Sequence, residues 1–144
     1  MTIEQLYNSL TELKIPPDKY YLQGIYGSTD DNDKLALTIK RGKYAIEYEV
    51  YFKERGEVNS TWTFISEDEA CDYLFKKIFD SWKFEQINEI EGLGGMTVNE
   101  RLFASGLMDE FDNCKTNDKT RAKQILRWLK VDESSIEKII NNSC

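Results

Sequence analysis

Three groups of carboxylates are the residues most able to do chemistry in this sequence. Asp30, Asp31 and Asp33 stand in a polar run, Asp109, Glu110 and Asp112 stand among apolar residues, and Glu47 and Glu49 alternate with apolar residues beside Tyr51. The first group has the look of a calcium loop, but Leu35 occupies the place of a third oxygen ligand and no Glu closes the loop, so a solvated loop is expected. The second group borders Leu107, Met108 and Phe111, which reads as the charged outer side of an amphipathic helix. Glu47, Glu49 and Tyr51 fall on the polar side of an alternating strand. An aromatic ring among charges there is either a docking surface or a plain solvated face.

The chain contains no histidine. Ser-His-Asp and Cys-His catalysis, histidine metal sites and the commonest general base are excluded together. Cys71, Cys114 and Cys144 are odd in number and match no zinc or redox spacing, which fits a reducing compartment. Lys119, Lys123, Arg127 and Lys130 form a basic stripe with phosphate-gripping potential; the wet side of a helix is the simpler account. Gly92-Leu93-Gly94-Gly95 has the wrong spacing for a dinucleotide fingerprint. No cofactor is expected, and the enzyme reading narrows to lysine and carboxylate chemistry.

Charge points the same way. The 26 acids exceed the 19 bases, giving a net charge of −7, and the excess is shared: 15 against 11 in residues 1 to 84, and 11 against 8 in residues 85 to 144. Such a surface is in the first place a solubility device; it also repels phosphate backbones and orients basic partners, so any partner is expected to be a protein, not nucleic acid or membrane. Residues 1 to 13 lack a basic region followed by a long apolar run, and no 18 consecutive apolar residues occur, so a cytoplasmic protein is expected. The two Asn-x-Ser/Thr matches, at Asn59 and Asn141, are then coincidental.

The elements that hold these residues are legible as α+β. Thr2 with Gln5 forms a capping-box pattern ahead of Ile3, Leu6, Leu10 and Leu13, and Pro16-Pro17 stops that helix. Four strands follow as an antiparallel meander: residues 20 to 26, 34 to 40, 44 to 53 and 58 to 65. Ile46, Tyr48, Val50 and Phe52 mark the face expected under the helices. Ser66 with Glu69 opens a helix to about residue 84, with Ala70, Leu74, Ile78 and Trp82 inward. The glycine cluster suggests a boundary, giving an α+β unit over 1 to 91 and a helical extension over 92 to 144. Thr97 with Glu100 and an Asp132 cap organise that extension as three short helices.

The segment from Met96 to Phe111, Met-Thr-Val-Asn-Glu-Arg-Leu-Phe-Ala-Ser-Gly-Leu-Met-Asp-Glu-Phe, resembles a tail of many small bacterial proteins, some of them immunity proteins of polymorphic or contact-dependent toxins. The resemblance covers roughly residues 92 to 140. It implies a protein that binds and neutralises a cognate toxin domain, with a nuclease the suitable target for an acidic inhibitor. It supplies no site residues. Glu47, Glu49, Tyr51, Asp30, Asp31 and Asp33 are therefore the expected partner-binding positions on charge and pattern alone. A regulatory adaptor for another protein is the alternative.

Overall fold

The computed structural model describes residues 1 to 141; Cys144 lies outside the described residues. The chain divides into two compact units, Met1–Trp82 and Lys83–Cys144. The division falls within a helix, not at the glycine cluster.

The first unit opens with α1 (Ile3–Glu12), where the Thr2 hydroxyl accepts from the Gln5 N–H and the Gln5 side chain accepts from the Thr2 N–H. This satisfies two of the donors that a helix start leaves without partners. Five strands follow: β1 (Tyr20–Leu22), β2 (Tyr26–Gly27), β3 (Lys34–Arg41), β4 (Ile46–Glu54) and β5 (Glu57–Phe64). They form one sheet in the order β2-β1-β3-β4-β5. The β3, β4 and β5 ladders are antiparallel, as alternation predicts, whereas β1 pairs with β3 in parallel. The expected four-stranded antiparallel meander is thus a five-stranded mixed sheet.

The correction has a local cause. Residues 20 to 26 do not run straight, because Gln23 and Gly24 both have positive φ and fold the segment into the β1–β2 hairpin. Gly27 completes it at φ +78°, where a Cβ would stand 2.6 Å from the Tyr20 carbonyl oxygen. Only glycine fits that approach.

One face of the sheet packs against α1 and α2 (Glu67–Asn88). Leu6 and Leu10 of α1, Ala70, Leu74 and Ile78 of α2, and Leu22, Leu37 and Val50 of the sheet are all buried in this core. Burial is deepest at mid-strand. Val50 is fully enclosed, but Ile46, four residues earlier on the same strand, is 56% exposed. The expectation that Ile46 lies beneath the helices is overturned, for it stands at the first position of β4, opposite Arg41 at the end of the ladder, outside the set of residues that packs with α1 and α2.

The second unit begins in the last turns of α2 and contains α3 (Val98–Ser105), α4 (Met108–Asn117), α5 (Lys119–Trp128) and α6 (Glu133–Asn141). Leu102, Leu107, Phe111, Ile125, Leu126, Leu129 and Ile136 form its own core. Four helices follow the glycines where three are expected, because Gly106 takes the left-handed conformation at φ 73° and caps α3. The glycine cluster itself is a packed turn. Arg101 spreads its guanidinium over the carbonyls of Gly94, Met96, Leu129 and Lys130, at 3.0 to 3.2 Å.

Candidate functional site

The six acidic and aromatic positions singled out by charge and alternation all lie in the first unit, but they have different jobs. The loop from Ser28 to Asp33 leads into β3 and reaches the β4–β5 turn. Asp31 accepts from the Tyr51 hydroxyl at 2.6 Å and from the Lys53 ammonium at 3.2 Å. Asp33 accepts from the Arg55 N–H at 3.0 Å, and the Asn32 side-chain oxygen from the Gly56 N–H at 2.9 Å. Three consecutive side chains thereby fasten the loop to one strand and its turn. They occupy donors that a tight turn would otherwise leave to water.

Tyr51 shares the polar face with Glu47 and Glu49, as alternation requires, yet it is only 6% exposed. The expected exposed ring is a buried one. Its neighbour across the strand pair, Ala36, is also fully buried. Burial, and then the hydrogen bond to Asp31, push the Tyr51 phenol far above its ordinary value. The same bond holds the Asp31 carboxyl below the usual carboxylate range, with Lys53 assisting. A neutral phenol donating to an ionised carboxylate beside an ammonium is a charge-assisted clamp.

Asp30, Glu47 and Glu49 are differently placed. Asp30 accepts from the Asn32 N–H at 3.0 Å, lies 3.6 Å from the Lys34 ammonium and remains largely exposed. Glu49 pairs with Lys40 across the β3–β4 ladder at 3.2 Å. Glu47 folds back toward Gly42, where its carboxylate occupies the space that a Cβ would need. Both glutamates are partly exposed. At the same end of the sheet, by the β3–β4 turn, Ile39, Tyr44 and Ile46 are exposed, and Ile65, just past β5, is 78% exposed. This group of apolar side chains escaped sequence reading because alternation assigned Ile39 and Ile46 to a covered face.

No three His, Cys, Asp or Glu side chains among the described residues are grouped so as to hold a metal ion, the Asp30–Asp33 loop included. Cys71 is enclosed in the first core, and burial pushes its thiol up to about 11, so it is protonated at neutral pH. The basic stripe of α5 is largely tied to α6: Lys123 pairs with Glu137 at 3.2 Å and Arg127 with Glu133 at 2.8 Å. Among the described residues no helix is long and apolar enough to cross a membrane. In the second unit Phe103 is 81% exposed, beside a depression of about 400 Å³ lined with Met96, Asn99, Glu100 and Ala104.

Against family models, curated proteins and solved structures, the chain finds no match.

Proposed function

We propose that this chain works by binding another protein, as an inhibitor of the immunity type that masks the working surface of a basic toxin domain. The observation that carries the binding reading is the end of the sheet at the β3–β4 turn. There Ile39, Tyr44, Ile46 and Ile65 are exposed, Ile39 and Ile46 on the helix-side face of the sheet and the partly exposed Glu47 and Glu49 on the other. Apolar anchors bordered by charge are the usual composition of a protein interface. Exposed apolar groups of this kind leave water when a partner docks, at roughly 25 cal/mol per Å². The net charge of −7 attracts and orients a basic partner before contact, and covering a phosphate-binding groove with carboxylates would deny it to nucleic acid.

The toxin assignment rests on the resemblance of residues 92 to 140, and its test is biological. Co-expression with the product of a neighbouring toxin gene should preserve growth, and the two purified proteins should form a complex whose association slows as salt rises. Growth arrest in the presence of the folded chain, with no complex formed, would overturn the inhibitor reading.

A further inference from the structure

We propose that the free edge of β5 is a strand-addition site whose occupant is an extended segment of a basic partner protein. This deepens the protein-binding reading and rests on it, adding where and how the partner joins.

The topology supplies the site. Among the described residues β5 is the last strand of the sheet and pairs only with β4, so one row of its backbone N–H and C=O groups meets no strand there. Every residue from Glu57 to Thr63 is exposed. The opposite edge, β2, has two residues and offers too little backbone to template a strand. Exposed edges are ordinarily blunted by proline, by charge or by brevity. β5 has eight residues, Glu-Val-Asn-Ser-Thr-Trp-Thr-Phe, with no proline and a single charge at its start. Its one irregularity, opposite Phe52 and Lys53, leaves Asn59 out of register and Ser60 to Phe64 in regular pairing. The residues are those that favour strands.

The side chains define two lanes for an added strand. On the helix-facing side, Trp62 lies 5.4 Å from the Tyr73 ring and is 40% exposed, an aromatic shelf for an apolar side chain. On the other side Thr61 and Thr63 continue the polar face through Tyr51 and Glu49. An incoming segment should therefore alternate apolar and polar residues.

Charge selects the occupant. From residue 54 to residue 72 the chain has six acids, Glu54, Glu57, Glu67, Asp68, Glu69 and Asp72, and one base, Arg55. This stretch, which contains β5 and both its ends, holds five of the seven net negative charges. Further cations lie against it: the Met1 ammonium beside Asp68 and Asp72, Lys77 over the Trp62 and Tyr73 rings, and Lys53, opposite Val58 in the ladder and itself paired with Asp31. They reduce the excess without cancelling it. A second copy of the chain would bring the same acidic ends, and a single strand pair covers far less than the 1,200 Å² or so of a stable dimer.

The test uses the full chain and the heptapeptide Thr-Lys-Val-Lys-Val-Lys-Thr, followed by backbone amide hydrogen exchange. The peptide should slow exchange about tenfold or more at the alternate residues between 57 and 64 whose amides point outward, because added pairing protects them. Two control peptides separate the causes. N-methylation of alternate peptide amides should raise Kd about tenfold by removing the ladder bonds, and Glu in place of Lys should abolish binding. The Thr61→Lys/Thr63→Lys variant, at exposed positions, should keep its circular dichroism and lose about tenfold in peptide affinity. The inference is overturned if the N-methylated peptide binds equally well, if protection appears on other elements, if no binding occurs, or if β5 becomes protected by raising the protein concentration alone. None of these outcomes bears on the toxin co-expression assay, so the edge assignment and the protein-binding reading fail separately.

Discussion

The acidic loop from Asp30 to Asp33 and the outer edge of β5 belong to the same unit, and both are rich in polar residues, yet their groups are in opposite states. In the loop, Asp31, Asn32 and Asp33 spend their oxygens on Tyr51, Lys53, Arg55 and Gly56. Along β5 the outward backbone groups have no strand to pair with among the described residues. Carboxylate density identifies the first region, whereas only the order of the strands identifies the second. The difference shows that availability for a partner is a property of what a group already touches, and charge alone does not report it.

The largest effect should separate two residues on one strand. Val50→Asp places a charge in a closed apolar core and should destabilise by roughly 3 to 5 kcal/mol, whereas Ile46→Asp, where the side chain already meets water, should stay within about 0.5 kcal/mol. Urea unfolding of the two variants decides it; similar losses would mean that the end of the sheet is covered. Next comes the loop. Asp31→Ala leaves the buried Tyr51 hydroxyl without its acceptor and should cost about 1 to 3 kcal/mol, while Asp30→Ala should cost no more than about 0.5 kcal/mol.

The clamp also has a pH signature at each end. The Asp31 carboxyl is lowered in the folded state, chiefly by the Tyr51 hydrogen bond, so its contribution is present above the ordinary carboxylate value and is lost as pH falls through the lowered folded value. Tyr51 is raised, chiefly by burial, so its contribution is intact below about pH 10, the ordinary phenol value, and declines as pH climbs beyond it. Stability measured against pH should therefore lose part of its acid slope in Asp31→Ala and part of its alkaline slope in Tyr51→Phe. Unchanged slopes would show the clamp to be broken in solution.

Much of this architecture was legible because its signals are local. The Thr2 and Thr97 capping boxes, the Asp132 cap and the Ala70-Leu74-Ile78 stripe depend on residues within a turn or two of one another. The three-residue β1 was not legible, since it is too short to show a period, and its parallel partner is set by the hairpin at Gln23 and Gly24. Gly106 left a trace: Leu102 and Leu107 are five residues apart, off the helical repeat, which marks a break between two helices. Arg101, whose fork holds the glycine turn, left none, because its acceptors are backbone carbonyls as distant as Leu129. Alternation placed Tyr51 on the correct face but carried no information about the loop that bonds it. Of the candidate site, Asp30 is exposed, Glu47 and Glu49 are partly exposed, and Asp31, Asp33 and Tyr51 make the bonds that fasten the loop.

The proposal that the loop is structural while the sheet surface meets partners is tested most directly by association kinetics with a toxin domain that the chain is found to bind, comparing Glu47→Lys/Glu49→Lys with Asp31→Asn. Reversal of the two partly exposed glutamates should slow association about tenfold at low salt and flatten its salt dependence, and Asp31→Asn should lower thermal stability with an association rate within about twofold of the native protein. A slowed Asp31→Asn variant alongside an unaffected double reversal would contradict that division.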